Sequence, residues 1–183
     1  MTGRAAGRDG ETAADPAVRA RELCYRLLTL APRTRAQLAD ALAKRGIPQD
    51  VVGDVLGKFA DAGLIDEAAF ARAWVESRHH GRGLASRALR AELKNRGVDG
   101  GDIQDALEEL DPDDEVATAK RLVEHKLAGL AGQPPEVKTR RLAGMLARKG
   151  YPAGLAFRVV REALEAEGVD VISDDVSDGV LSD

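Results

Sequence analysis

The sequence has few aromatic residues, a single cysteine and no long apolar run. Aromatic residues make up 3% of its 183 residues and hydrophobic residues 44%, so a core must be built mainly from Leu, Val and Ala, which suits small helical bundles. Cys24 cannot form an internal disulfide, and its apolar surroundings predict a small buried side chain in a reducing compartment. No apolar run approaches the ~20 residues that cross a bilayer, and the N-terminus has no signal-peptide pattern. We therefore expect a soluble, cytoplasmic protein.

Residue patterns for catalysis and metal binding are also missing. The three histidines and Cys24 lack the spacing of zinc ligands, and the adjacent His79 and His80 would diverge by about 100° on a helix. The Gly-Arg-Gly segment at 81–83 follows no strand and precedes no Gly-Lys-Ser/Thr, which favours a helix–helix connection over a phosphate loop. No nucleophile has a base at a recognisable spacing. The sequence predicts no enzyme: it has no catalytic residues, and we expect no metal and no cofactor.

One phrase occurs three times along the chain. Residues 38–46 read LADALAKRG, residues 89–97 read LRAELKNRG and residues 142–150 read LAGMLARKG. A repeat of up to roughly 50 residues is typical of stacked supersecondary units that bury one another's apolar faces. The glycine that ends each copy follows basic residues, which predicts a left-handed residue after a helix and cations at the negative end of its dipole.

Start and stop signals around these copies predict nine helices. Asp15 and Asp111 are N-cap candidates that precede proline, and Thr34 and Asp66 can cap two further helices. The predicted helices span 17–31, 35–45, 48–61, 67–79, 85–96, 100–110, 112–128, 136–148 and 152–167. Strand alternation is absent.

The fold is therefore expected to be all-α, an elongated tandem array of three three-helix modules. The modules are predicted at 16–66, 67–111 and 112–167. Residues 1–15 and 168–183 are predicted to be disordered tails, of which the second is acidic, because neither has apolar periodicity.

Charge is segregated along the chain. The formal net charge is −4, but residues 165–183 contain seven acidic residues and no basic ones, so the remainder is positive. Residues 69–100 contain seven cations against three acidic residues, which makes the middle module the most basic part. The acidic average therefore does not exclude a polyanionic partner such as nucleic acid.

A segment of the middle module carries a family resemblance. Residues 63–98 contain Gly-Leu-Ile-Asp at the start, Phe-Ala-Arg followed by Trp74, the Gly-Arg-Gly segment, and Glu92-Leu93-Lys94 before Gly97-Val98. With the repeated phrase, which extends the match over about 18–165, this segment resembles the RecX family of regulatory proteins that modulate the RecA recombinase. The histidine pair at 79–80 falls in a linker that varies within the family, so nothing carries over to it.

The resemblance implies a partner and a role. It implies a protein that lodges in the helical groove of a RecA filament on DNA and inhibits recombinase and coprotease activity, in DNA repair, recombination and the SOS response. The candidate partner-binding residues are the cations of the middle module, Arg72, Arg78, Arg82, Arg87, Lys94 and Arg96. Phe70 and Trp74, four residues apart, are interpreted as core residues and Asp66 as a helix cap. We expect a monomer with weak direct DNA contact and no membrane contact.

Two other interpretations stay open. Residues 34–65 also suit a winged-helix transcription regulator, but the helix that would read DNA begins Gln49-Asp50 and has Lys58 as its only cation. A recognition helix that contacts base edges and phosphates needs Arg, Lys or Asn on its DNA-facing side. The other interpretation is a helical scaffold or adaptor that binds a partner helix without DNA. For a RecA partner, the sequence leaves open contacts to protomers, to DNA or to both.

Overall fold

The computed structural model describes residues 15–168, which form nine α-helices and no strand. The helices are α1 (Pro16–Leu30), α2 (Arg35–Ala43), α3 (Gln49–Asp61), α4 (Glu67–Arg82), α5 (Ser86–Lys94), α6 (Gly100–Glu108), α7 (Pro112–Ala128), α8 (Pro135–Arg148) and α9 (Ala153–Ala166). The predicted all-α fold is confirmed, and its elongation stays a prediction. The two predicted tails lie outside the described residues, apart from Asp15 and Gly168 at their edges.

The predicted helix caps are confirmed. Asp15, Thr34, Asp66 and Asp111 each accept a hydrogen bond from a backbone N–H in the first turn of the helix that follows, at 2.8–3.2 Å. Gln37 completes a reciprocal capping box with Thr34. These side chains satisfy N–H groups that have no partner within the helix, so each one stabilises the helix start.

Helix α4 is longer than predicted, and this corrects the interpretation of the Gly-Arg-Gly segment. The helix continues through Arg82, and the chain turns only at Gly83, where φ is +62°. His79, assigned to a variable linker, is instead a helical residue with 1% of its surface exposed. Its Nδ1 lies 2.9 Å from the Leu84 carbonyl oxygen and its Nε2 lies 3.2 Å from Thr118 Oγ1. These tertiary contacts hold the last turn of α4 against α7, an effect that a local sequence pattern does not contain.

The same core positions recur in all three modules. The leucines of the repeated phrase are fully buried: Leu38, Leu42, Leu89, Leu93, Leu142 and Leu146. The first helix of each module buries a pair four residues apart: Ala20 and Cys24, Ala71 and Val75, and Ala119 and Val123. Cys24 is thus buried as predicted, and burial raises the pKa of its thiol. Burying one leucine stabilises a fold by about 1.5–3 kcal/mol, so these repeated pairs are a main source of stability.

The described chain divides into two compact units. The first contains residues 15–70 and 96–99, and the second contains residues 71–95 and 100–168. In the first unit, α1, α2 and α3 pack pairwise on one another. In the second, α7, α8 and α9 pack pairwise and α5 packs on α6.

Within the first unit, the turn that follows α5 packs on the N-terminus of α2. The Thr34 hydroxyl donates to the Arg96 carbonyl oxygen at 2.6 Å. Next to it, the backbone N–H of Arg35 donates to Glu67 Oε1 at 3.0 Å. We call this arrangement the first joint, because Glu67 and Arg96 follow the first module in the chain and contact the start of its second helix.

The second unit contains an equivalent arrangement at the N-terminus of α5, which we call the second joint. The backbone N–H of Ala85 donates to the Lys149 carbonyl oxygen at 2.9 Å. The backbone N–H of Ser86 donates to Glu115 Oε1 at 2.5 Å, and the Ser86 hydroxyl donates to the same oxygen at 2.6 Å. In both joints a glutamate from the next module accepts from the first helical residue, where a carboxylate also interacts favourably with the helix dipole.

Two of the three repeat glycines lie in these joints. Gly97 and Gly150 have φ of +75° and +92°, and a Cβ on either would overlap the first turn of the helix it covers, at Ala36 and Ala88. Gly46 has φ of +70° but open space around its Cα. The glycine of the repeated phrase therefore ends a helix in every module and permits close backbone contact in two of them.

Candidate partner-binding surface

Helices α4 and α5 are fastened together by one carboxylate. Trp74 Nε1–H donates to Glu92 Oε2 at 2.9 Å, and Arg82 Nη1 lies 3.3 Å from Glu92 Oε1. Arg78 Nε lies 3.8 Å from Glu92 Oε2, and the Arg78 guanidinium carbon stands 4.2 Å from the centroid of the Trp74 ring. We call these four residues the α4–α5 clamp.

The clamp gives two of the predicted partner-binding cations a structural role. Arg78 and Arg82 share the negative charge of Glu92, so the cluster has a net charge of about +1 at neutral pH. Partly exposed ion pairs contribute ~0–1 kcal/mol each, and a cation over an aromatic ring about 0.5–1 kcal/mol at an exposed site. Phe70 and Trp74, interpreted as core residues, are both half-buried, and Trp74 packs against Arg78.

A second group of cations forms an exposed row along α5. Arg87, Arg90 and Lys94 are spaced three and four residues apart, so they lie on one face of the helix. The opposite face is buried through Leu89 and Leu93. Arg90 donates to Gln104 on α6 at 2.7 Å, whereas within the described chain the side chains of Arg87 and Lys94 form no hydrogen bond or ion pair. We call these three cations the α5 ridge.

The remaining two predicted cations lie apart from the α5 ridge in the chain. Arg72 is exposed on α4 and lies about a third of a turn around the helix from Arg78. Arg96 is half-buried in the turn after α5 and belongs to the first compact unit, where its carbonyl oxygen accepts from Thr34. Of the six predicted residues, helical spacing therefore places Arg78 with Arg82 on one face of α4, where Glu92 engages both, and Arg87 with Lys94 on one face of α5.

A basic groove on the third module was missed by sequence reasoning. It has a volume of about 560 Å³ and lies along α7 and α8. Its lining contains four cations and one methionine: Lys126, Arg140, Arg141, Arg148 and Met145. No acidic residue lines it, and within the described chain its cations form no ion pair. The adjacent pair Arg140-Arg141 was the available signal, but only the packing of α8 on α7 adds Lys126.

Both surfaces suit anionic groups better than other ligands. Arginine presents a planar fork of donors that matches carboxylate and phosphate oxygens, and lysine adds a point charge. Within residues 15–168, no group of three or more His, Cys, Asp or Glu side chains is arranged to hold a metal ion. No helix in that part of the chain is long and apolar enough to cross a membrane.

Comparison with known families decides which proteins this chain belongs with. Family models described as the first, second and third three-helix domains of RecX match residues 20–59, 66–107 and 113–160. The chain belongs to the RecX family. The three matched RecX domains follow the order of the three helical repeats, so the predicted family resemblance is confirmed.

Relatives with high identity carry the same family name. The chain is 57% identical over 177 residues to "Regulatory protein RecX" of Thermobifida fusca (strain YX), covering 93% of this chain and 96% of the relative. It is 56% identical over 161 residues to "Regulatory protein RecX" of Streptomyces lividans, covering 88% and 86%. The crystal structure of RecX from Lactobacillus salivarius superposes with a TM-score of 0.74 at 20% identity, over 81% of this chain and 97% of that chain, and this likeness concerns the fold alone.

Proposed function

We propose that this RecX-family chain binds RecA recombinase filaments on DNA and restrains their ATPase, strand-exchange and coprotease activities, in DNA repair, recombination and the SOS response. Relatives that are named regulatory proteins support a regulatory role. The observation that carries the proposal is the α5 ridge, in which Arg87 and Lys94 are exposed and have no partner within the described chain. An exposed basic face of this kind is stabilised by a polyanionic partner.

The dimensions of the α5 ridge fit a repeating anion. Arg87 and Lys94 are seven residues apart, which corresponds to about 10 Å along a helix axis. Phosphates of one strand in a duplex are spaced at about 3.4 Å along the axis, so the ridge spans about three of them. The same length also fits a short acidic segment on a protein surface.

The basic groove is proposed as a second contact surface of the same function. Its four cations face solvent and have no acidic residue among them, so binding an anion there relieves their mutual repulsion. Arg78 and Arg82 are given a different role, because Glu92 already engages both of them. We propose that they hold α4 against α5 and thereby position the α5 ridge.

The proposed role requires binding but no catalysis. We therefore propose a monomeric, cytoplasmic regulator without enzymatic activity, which acts by occupying the filament. Arginine forks recognise carboxylate and phosphate oxygens alike, so the α5 ridge is compatible with contacts to RecA protomers, to DNA or to both.

The test measures inhibition and binding separately. We expect the full chain, at substoichiometric ratios, to lower the single-stranded-DNA-dependent ATPase and the strand exchange of RecA. Pull-downs on RecA–DNA filaments, RecA alone and DNA alone then locate the contact: retention by RecA alone indicates protomers, and retention by DNA alone indicates phosphates. Undiminished ATPase at equimolar chain would contradict the proposal.

No observation favours a transcription regulator over this function. In α3, the helix that would read DNA, Asp50 and Asp54 are exposed alongside the single cation Lys58. The described residues contain no strand, and a winged helix needs a β-ribbon for its wing. Sequence-specific binding to duplex DNA without RecA would revive that interpretation.

A further inference from the structure

The two joints share one set of requirements. On the receiving side is the second helix of a module, α2 or α5. It supplies a donor at its N-cap, a backbone N–H at its first helical position and an alanine in its first turn. On the docking side, the next module supplies a carbonyl that precedes a left-handed glycine, and a glutamate from its first helix. A first module that presented the docking set would be complementary to a third module, in a second copy, that presented the receiving set.

The N-terminus of α8 is the equivalent receiving position of the third module, and it lacks every group in the first set. Pro134 is the N-cap and Pro135 the first helical residue, and proline has no backbone N–H to donate. The first turn continues with Glu136 and Val137 in place of alanine. Proline is common at a first helical position, as at Pro112, but there an aspartate side chain caps the helix, whereas α8 has no side-chain cap.

The docking position of the first module is modified in a complementary way. The Arg45 carbonyl oxygen, which corresponds to the acceptors of both joints, already accepts from Arg19 Nη2 at 3.3 Å. Gly46 keeps the left-handed conformation but has nothing packed against it. The glutamate is missing as well. Gly46 and Gly97 are 51 residues apart, and at the same spacing Pro16 is the counterpart of Glu67. The first turn of α1 has no acidic residue.

We propose that Pro134 and Pro135 at one end, and Pro16 and Arg19 at the other, are terminal caps that prevent a second copy from docking head to tail. Head-to-tail contacts between identical chains do not close on themselves and generate open fibres. Repeat proteins need modified terminal units for the same reason, because their inner surfaces are made to stack. With these caps, the chain forms the same kind of joint twice within itself, and separate copies do not polymerise through it.

Two complementary variants test the proposal. One, Pro16→Glu with Arg19→Ala, recreates the Asp-Glu start of α4 and frees the Arg45 carbonyl oxygen. The other, Pro134→Ala with Pro135→Ser and Val137→Ala, recreates the pattern of Ala85, Ser86 and Ala88 at the start of α5, and so restores both donors and the alanine. In sedimentation equilibrium up to millimolar concentration, we expect the wild-type chain and each variant alone to stay monomeric. An equimolar mixture of the two variants should show a doubling of the weight-average mass.

Two controls decide whether association uses the joint. Adding Gly46→Ala to the first variant should abolish association, because the new Cβ would overlap the receiving helix. Replacing the second variant by Pro112→Ser, which removes a proline at the same helical position in α7, should leave the mixture monomeric. Circular dichroism confirms that each chain is folded. If the triple variant does not fold, Pro135→Ser with Val137→Ala still restores the N–H at the first helical position and the alanine. A mixture of folded variants that stays monomeric, or association that survives Gly46→Ala, would overturn the proposal.

Discussion

Gly150 lies against the backbone of Ala88, so that a Cβ at position 150 would stand 2.5 Å from the Ala88 nitrogen. The backbone of α5 cannot move away from Gly150 without breaking the hydrogen bond from the Ala85 N–H to the Lys149 carbonyl oxygen in the same joint. Gly97 holds the corresponding place over Ala36. The close approach explains why a glycine is needed in these joints beyond its role in ending a helix.

The three glycines should therefore respond differently to alanine. Gly46→Ala should lower the free energy of unfolding by about 1–2 kcal/mol, the cost of a left-handed alanine. Gly97→Ala and Gly150→Ala should lose a further ~1–3 kcal/mol, because their Cβ atoms overlap a neighbouring helix. Urea unfolding of the three variants measures the difference. Equal losses at all three positions would show that the joints tolerate a side chain.

Charge reversal on the α5 ridge should weaken filament inhibition. Arg87→Glu with Lys94→Glu removes two cations that have no described partner, so the helix itself should be retained. If the ridge binds phosphates, the slope of log affinity against log salt should fall by about 0.7 for each single-strand phosphate that the variant no longer neutralises. The measurement is RecA ATPase inhibition, and filament binding, over a salt series.

The matched control for the α5 ridge changes the same charge elsewhere. Arg21→Glu with Lys58→Glu alters two exposed cations on α1 and α3. We expect a smaller loss of inhibition and an unchanged salt slope. If both double variants lost inhibition equally, net charge rather than the α5 ridge would be responsible.

The basic groove should contribute independently of the α5 ridge. Arg140→Glu with Arg141→Glu reverses two of its cations, both exposed on α8. We expect weaker filament binding and a salt slope reduced by a similar amount, since the interaction is electrostatic. Combining these changes with those on the α5 ridge should give additive losses in binding free energy if the surfaces act separately. Full inhibition by the groove variant would remove the groove from the proposed interface.

Loss of Glu92 should loosen α4 from α5 and be visible in fluorescence. Glu92→Ala removes the acceptor of Trp74 Nε1–H and the counter-charge of Arg78 and Arg82. We expect a loss of about 1–2 kcal/mol in the free energy of unfolding. Trp74 is the only tryptophan, so its emission should shift to longer wavelength as its ring becomes more exposed. Glu109→Ala, at an exposed position, is the control that should leave emission unchanged.

Alkaline pH should weaken the second compact unit through Tyr151. Its hydroxyl donates to the Gly83 carbonyl oxygen at 3.2 Å, and burial, followed by the nearby charge of Glu115, raises its pKa to about 12. A pKa raised above the unfolded value near 10 means that the neutral phenol stabilises the fold fully below about pH 10. This contribution, on the order of 2 kcal/mol, is lost as pH rises through about 12.

Tyr151→Phe isolates this effect. At pH 8, the variant should be less stable than wild type by about 1 kcal/mol, because one hydrogen bond is removed. Toward pH 12, the difference should shrink and reverse, because phenylalanine does not ionise. Urea unfolding at both pH values measures it. Tyr25→Phe is the control, since Tyr25 is 55% exposed. A difference independent of pH would mean that Tyr151 ionises freely in the folded protein.

Much of the fold could be predicted because its signals are local. The N-caps at Asp15, Thr34, Asp66 and Asp111 act on the next few backbone N–H groups, so residue type and spacing suffice to find them. The repeated phrase places two leucines four residues apart, which predicts one buried helical face in each module. The end of α4 could not be predicted, because buried contacts of His79 with Leu84 and Thr118 extend the helix.

The sequence by itself determined the helices, their grouping in threes, the family and the basic character of the middle module, because these depend on periodicity and composition. Only the tertiary structure decided which residues the cations contact and which cations of different helices lie side by side. Glu92 lies ten residues from Arg82 in sequence yet engages it across two helices, and Lys126 joins Arg140 only because α8 packs on α7. Ion pairs and close contacts depend on distances of a few ångströms between helices, and spacing along one helix does not contain that information.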